Sequence, residues 1–121
     1  GDLGNFLVMP TTGTLHKIAG REDGSLQGYR SSYSKESESA RAGYYSVMLD
    51  RYHIQAEATA TPHCGLLRFT YPRHDQSRIQ VDLARRVGGT STEQYIHILD
   101  AQTIEGWMRW HITETQLPWS K

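Results

Sequence analysis

The sequence predicts an all-β fold, an antiparallel sandwich, on three observations. Between Gly43 and Ile112, apolar and polar residues alternate with a period of two in five successive stretches. Glycine, proline and short polar clusters separate those stretches at close intervals. At least seven short strands with few helices result, which is the signature of a sandwich, with a closed barrel as the competing arrangement.

The elements follow in chain order. Asn5–Met9 reads as a short strand that Pro10 ends by removing a ladder donor. Thr11-Thr12-Gly13 is a turn, and Leu15 to Ala19 fits a second short strand. Gly20 to Gly28 holds three glycines among polar residues and reads as a loop. Tyr29 to Tyr33 fits extended backbone. Ser34 to Ala42 is polar and lacks an apolar face, so an exposed loop is expected. Gly43 to Asp50, Tyr52 to Thr61 and Cys64 to Tyr71 then follow as strands, joined closely enough to be hairpins. Tyr45, Val47 and Leu49 share one face of the first, and Ile54, Ala56, Ala58 and Ala60 one face of the second. Leu67, Phe69 and Tyr71 repeat the pattern in the third. Arg78 to Arg85 is a further strand with Ile79, Val81 and Leu83 on one side. Val87 to Ser91 is a loop, and Gln94 to Ala101 pairs with Thr103 to Ile112. The sandwich is thus assigned to residues 1–112, and residues 113–121 to a tail.

A chain of 121 residues is one domain or part of one. It buries roughly two thirds of its unfolded surface, enough for one two-layer core. Apolar residues make up only 37% of it, which suits a thin core or a domain that leans on a neighbour. Thirteen basic and thirteen acidic residues cancel, so no positive field favours nucleic acid or an anionic membrane surface. No apolar run approaches the roughly 18 residues of a spanning helix. Cys64 is the single cysteine and has no internal disulfide partner. The chain starts at Gly1 and enters a strand almost at once, which suggests a piece of a longer polypeptide.

Side chains that carry chemistry are scattered. His16, His53, His63, His74, His97 and His111 lack the paired spacing that aims two imidazoles at one metal ion, so they read as surface or turn residues. No glycine-flanked serine elbow is present, and Cys64 reads as a packed strand thiol. Glu57 and Asp82 stand out among the acids because each lies in a strand with apolar neighbours. Neither belongs to a recognisable acid–base pair, so no catalytic residue is assigned. Tyr29, Tyr33, Tyr44, Tyr45, Trp107, Trp110 and Trp119 supply flat rings of the kind that stack on pyranoses. Trp107 lies on the face opposite Met108 and Trp110, which places an indole outside the core on one side or the other.

Three segments resemble a known family. Gly1-Asp2-Leu3-Gly4-Asn5-Phe6-Leu7-Val8-Met9-Pro10-Thr11-Thr12-Gly13 is similar to a stretch in the N-terminal domain of the family 92 glycoside hydrolases, bacterial exo-acting alpha-mannosidases. Tyr33-Ser34-Lys35-Glu36-Ser37-Glu38-Ser39-Ala40-Arg41-Ala42-Gly43-Tyr44-Tyr45-Ser46-Val47 resembles a second. Ile54 to Pro72, with Ala58-Thr59-Ala60-Thr61 before Cys64-Gly65 and Arg68-Phe69-Thr70-Tyr71-Pro72, resembles a third, and Ile79 to Leu83 continues it. The resemblance covers residues 1 to 109; from Trp110 to Trp119 the sequence departs from it.

The resemblance implies a β-sandwich preceding an (α/α)6 catalytic domain of the same polypeptide. It also implies hydrolysis of terminal alpha-linked mannose with inversion, and calcium assisting at the sugar. It places the catalytic carboxylates and most calcium ligands in the helical domain, so none is carried onto this chain, which is expected to be inactive alone. It further implies sandwich residues before Gly1, hence an incomplete N-terminal side with an open edge prone to self-association. A periplasmic or secreted bacterial location and a mannose-containing glycan as substrate come from the same source. Asp2, which follows the expected active-site stretch, and Trp107 are the substrate-proximal candidates. The rival reading is a stand-alone carbohydrate-binding or structural sandwich module that presents Trp107.

Overall fold

The structure is a computed structural model that describes residues 6–21, 23, 25, 27–86 and 89–109. Among them are β1 (Leu7–Thr12), a 3-10 turn at Lys35–Ser37, β2 (Ser39–Arg41), β3 (Tyr44–Leu49), β4 (Ile54–Ala60) and β5 (Gly65–Thr70). They continue with β6 (Ser77–Asp82), β7 (Arg85–Arg86), β8 (Gly89–Thr90), β9 (Glu93–Ile98) and β10 (Ile104–Arg109). The architecture is all-β with antiparallel sheets, as the alternation predicts. The assigned tail at 113–121 lies outside the described residues. The chain divides into two compact units, Met9–Gln80 and Gly1–Val8 with Val81–Lys121.

In the first unit, β2, β3, β4 and β5 form one antiparallel sheet in chain order. Val47 lies opposite Ala56, and Ala56 opposite Phe69, so the apolar positions of three strands share a face. Ser46, Glu57 and Arg68 line up in the same way on the other face. The buried apolar core is small: Tyr29, Val47, Tyr52 and a fully buried Ile54.

The corner between β3 and β4 organises the unit. Arg51 projects Nη1 onto the carbonyls of Gly28 at 2.7 Å and Arg30 at 3.0 Å. Its backbone N–H donates to Ser31 Oγ at 3.1 Å, and that of Asp50 to Ser32 O at 3.0 Å. Tyr52 donates its hydroxyl to Tyr29 O at 2.8 Å. Burial raises the Tyr52 pKa, which keeps that proton in place as a donor. The corner therefore satisfies the backbone of a segment that has no strand partner of its own.

That explains one departure from expectation. Leu15 to Ala19 is not a strand. Tyr29 and Arg30 donate to Ile18 O (2.9 Å) and Ala19 O (3.1 Å), which closes the neck of the glycine-rich loop instead of extending a ladder. Gly28 makes the closure possible: its φ is +72°, and a Cβ there would lie 2.4 Å from Ile18 O.

Other boundaries also move. Pro10 lies inside β1 rather than at its end. Gly13 donates to Gln76 O across the β1–β6 ribbon, so counting back by two places Thr11 and Met9 on the paired edge. Pro10 then faces the other edge, which no strand among the described residues pairs, so no donor is needed there. Ser39–Arg41 is a strand, not part of a loop, joined to β3 by a two-residue turn with Gly43 at φ +77°. The strand begun at Arg78 stops at Asp82, whose Oδ1 accepts the Ala84 N–H at 2.9 Å and turns the chain. The loop expected at 87–91 contains β8, which pairs antiparallel with β7. Cys64 is exposed rather than packed, because it closes a tight turn in which Thr61 N–H donates to Cys64 O at 2.8 Å.

Within β6 the expected inner face is reversed at one point. Ile79 is 58% exposed. Gln80 instead accepts the hydroxyl of the buried Thr11 at 2.8 Å and donates to His16 O at 2.9 Å. Arg78 reaches Gly13 O.

In the second unit, β9 and β10 form an antiparallel hairpin whose turn is fixed by the Leu99 N–H on Thr103 O (3.0 Å) and the Gln102 N–H on Asp100 Oδ1 (2.8 Å).

Arg51→Met removes the charged donor of the corner, and a loss of about 2 kcal/mol is expected in urea unfolding of the chain. Gly28→Ala is expected to destabilise clearly more than Gly13→Ala. Both residues sit at positive φ, at a cost of about 1–2 kcal/mol each, but only Gly28 also meets backbone atoms, since nothing lies within 4 Å of a Cβ at Gly13. Equal unfolding midpoints for the two variants would contradict the loop-neck account.

Candidate functional site

Asp2, Trp110, His111 and Trp119 lie outside the described residues. Of the two substrate-proximal candidates, the structure therefore places Trp107 alone. It stands on β10 opposite Tyr95 of β9. The two rings are stacked with centroids 5.9 Å apart and planes 20° from parallel. The Arg109 guanidinium lies 5.8 Å from the Trp107 ring centroid and pairs with Glu93 across the ribbon at 2.9 Å. His97 Nδ1 and Glu105 Oε1, also opposite each other, are 3.3 Å apart. Three cross-strand pairs thus make one face of this hairpin a ladder of charge, ring and charge. Trp107 is engaged by neighbours on its own ribbon, yet 48% of it remains open.

A second ladder crosses all four strands of the first unit. Arg41 lies over the Tyr44 ring, 4.8 Å from its centroid. Tyr44 donates its hydroxyl to Glu57 Oε1 at 2.6 Å. Arg68 clamps both Glu57 oxygens, Nε to Oε2 at 2.7 Å and Nη2 to Oε1 at 2.8 Å. Tyr44, Glu57 and Arg68 border a shallow hollow of about 210 Å3 with Thr59 and Leu66. The Arg68 and Tyr44 hydrogen bonds hold the Glu57 carboxyl down at about 2. It is therefore a fixed anion near neutrality and a poor proton donor. The sequence singles out Glu57 but misses its partners. The short turn at 61–64 is the signal that could have revealed Arg68, because setting Ala60 opposite Gly65 places Glu57 opposite Arg68 three residues back.

The remaining candidates have local tasks. Asp82 caps the Ala84 turn at the end of β6. His74 Nδ1 accepts the Gln76 N–H at 2.9 Å. Tyr29 belongs to the core, whereas Tyr33 and Tyr45 are exposed. Among the described residues, no three His, Cys, Asp or Glu side chains gather where they could share a metal ion.

The Glu57 anion gives a pH signature. Its pKa is lowered on folding, so its contribution is complete above the ordinary value of 4.5 and is lost as pH falls toward about 2. Glu57→Gln is expected to weaken the chain at pH 7 and to flatten the fall in urea midpoint across that acid window. An unchanged acid limb in the variant would remove Glu57 from the account.

Comparison with known proteins locates this geometry. A family model described as the glycosyl hydrolase family 92 N-terminal domain matches residues 1–116, which extends past Arg109. Two solved structures of the family GH92 alpha-mannosidase from Bacteroides thetaiotaomicron, one of them in complex with mannoimidazole, are similar in fold. Each gives a TM-score of 0.84 at 36% identity and covers 88% of this chain. This chain spans only 14% of the length of either. A search of curated proteins gives no match. With the family model covering nearly all of its length and the strands superposing on those of a family member, the chain belongs to the N-terminal domain of glycosyl hydrolase family 92.

Proposed function

We propose that this chain is the non-catalytic β-sandwich portion of an exo-acting, inverting, calcium-dependent alpha-mannosidase that removes terminal alpha-linked mannose from glycans. The likeness of most of this chain to a small share of an alpha-mannosidase carries the reading. Inversion needs an acid and a base carboxyl roughly 6.5–9.5 Å apart. The two unusual carboxylates described here are otherwise engaged, Glu57 with Arg68 and Tyr44, and Asp82 with the Ala84 turn. The acid and base are accordingly assigned to a C-terminal (α/α)6 domain of the same polypeptide.

Calcium is assigned there too. Among the described residues, Glu57, Glu93 and Glu105 each face a basic partner, and no three His, Cys, Asp or Glu side chains gather into a calcium cradle. The sandwich would support the helical domain and shape one wall of the mannose pocket, with Asp2 and Trp107 nearest the glycan. Family resemblance supports a periplasmic or secreted bacterial location. Self-association of the isolated chain is proposed through the four-stranded sheet, where edge strand β5 exposes Leu66 and Leu67 on opposite faces.

The second reading, a stand-alone carbohydrate-binding module, is favoured by the half-open Trp107 ring. Titrating mannosides into the isolated chain while following tryptophan emission separates the two. A flat trace is expected, and saturable binding supports the module.

The longer polypeptide carrying this domain is expected to release mannose from alpha-mannosides, with the inverted anomer formed first by NMR, and to lose activity to a calcium chelator. The 121 residues alone are expected to release none. Turnover by the isolated chain overturns the proposal. Asp2→Ala in the longer polypeptide is expected to alter turnover or affinity, and no change in either removes Asp2 from the substrate's neighbourhood.

A further inference from the structure

The four-stranded sheet ends in two edges, β2 and β5. Edges that resist pairing are short, carry proline, bulge, or hold out a free charge. β2 meets the first condition with three residues, and β1 of the two-stranded ribbon meets the second through Pro10. β5 meets none of them. It runs six residues, Gly65–Thr70, without proline. Its register with β4 is unbroken from Ala60↔Gly65 to Gln55↔Thr70, so no bulge twists it away. Its one charge, Arg68, is turned back onto β4 and held there by both Glu57 oxygens. Leu66 is 67% exposed and Leu67 47%. No strand among the described residues pairs with its outer edge.

The hydrogen-bond parity of that edge follows from the turn before it. Thr61 N–H donates to Cys64 O at 2.8 Å, so residues 61 and 64 form a hydrogen-bonded pair. Alternation along the β4–β5 ladder then turns the N–H and C=O groups of Leu66, Arg68 and Thr70 toward β4, and those of Gly65, Leu67 and Phe69 outward. An added antiparallel strand must bring its own outward groups opposite these. For a second β5, that condition excludes every register centred between two residues. A register centred on Arg68 sets two like charges against each other. One centred on Leu66 leaves the end of the strand unpaired. The register centred on Leu67 pairs every residue of the strand and sets Leu66 beside Arg68.

We infer that β5 pairs antiparallel with β5 of a second copy of this chain, about Leu67, and joins two four-stranded sheets into one of eight strands. The two Leu67 side chains meet on the face that carries Phe69, and the aliphatic stem of the partner's Arg68 covers Leu66 on the opposite face. The Arg41–Tyr44–Glu57–Arg68 ladders of both copies then share one face of the joined sheet. The inference rests on the proposed self-association of the isolated chain and deepens it by fixing the partner strand, its direction and its register.

Cys64 supplies the test, because it is exposed and is the single thiol of the chain. In the inferred register it lies opposite the partner's Thr70 in a non-hydrogen-bonded pair, where Cα atoms approach to about 4.5 Å and a disulfide fits. Within one chain the two positions stand about 20 Å apart along the strand, too far for a bridge. The 121-residue chain with Thr70→Cys is expected to give a covalent dimer on oxidation with diamide, and the chain with its native threonine to give none. Leu67→Lys sets two ammonium groups side by side at the centre. It is expected to raise the dimer dissociation constant more than about tenfold by sedimentation equilibrium, with the far-UV circular dichroism unchanged. A dimer that Thr70→Cys leaves uncrosslinked, one that crosslinks through Cys64 alone, or one whose affinity Leu67→Lys does not alter overturns the inference and leaves self-association standing. A chain that stays monomeric at millimolar concentration overturns both. The mannosidase reading is separate from either result, since it is tested by turnover of the longer polypeptide.

Discussion

The first unit depends on one corner. The tip of β3–β4 lends a guanidinium, two backbone amides and a tyrosine hydroxyl to a segment that pairs with no strand. Buried carbonyls without partners are costly, so an irregular stretch can pack on a sheet only when something supplies donors. Arg51 suits that task because its Nη1, with two N–H groups, reaches two carbonyls at once and stays charged at any ordinary pH. Tyr29 and Tyr52, the core's two large rings, are brought together by the same contact. Ile54 begins β4 just beyond the corner and is fully buried, so tight packing and the polar clamp of Arg51 lie side by side.

The two exposed sheet faces follow a common design. Each charged group is set opposite a partner on the neighbouring strand, with an aromatic ring between or beside the charges. Such pairs add modestly to stability and strongly to register, since a slip by one residue would set every charge against the wrong neighbour. They also settle the chemistry. A carboxylate clamped by an arginine and a tyrosine is held ionised, and an acid catalyst must carry a proton near neutral pH. The feature that makes Glu57 conspicuous in a strand is thus the one that disqualifies it as a general acid.

Membership of the family 92 N-terminal domain gives these facts a setting. A sandwich with a small core and several open isoleucines is a poor free-standing object but a sound component of a larger one.

Alternating strands were legible from residues alone: β3, β4, β5 and β10 fall where period two places them, because half-buried ribbons impose that pattern directly, and β9 follows as the partner of β10. The same is true of Trp107, whose parity against Met108 already set it on the other face. Elements held by partners distant in sequence were not legible. Pro10 is tolerated within β1 because no strand among the described residues pairs its edge, Leu15 to Ala19 gives up strand geometry to close a loop neck, and Ile79 is exposed while Arg78 and Gln80 bond to carbonyls of the loop after β1. Composition and local order determined the fold class and the family, since both are written in short-range pattern. Tertiary structure alone decided which carboxylate is locked, which thiol is exposed and which ribbon face is left bare, because each depends on what a side chain meets across space rather than along the chain.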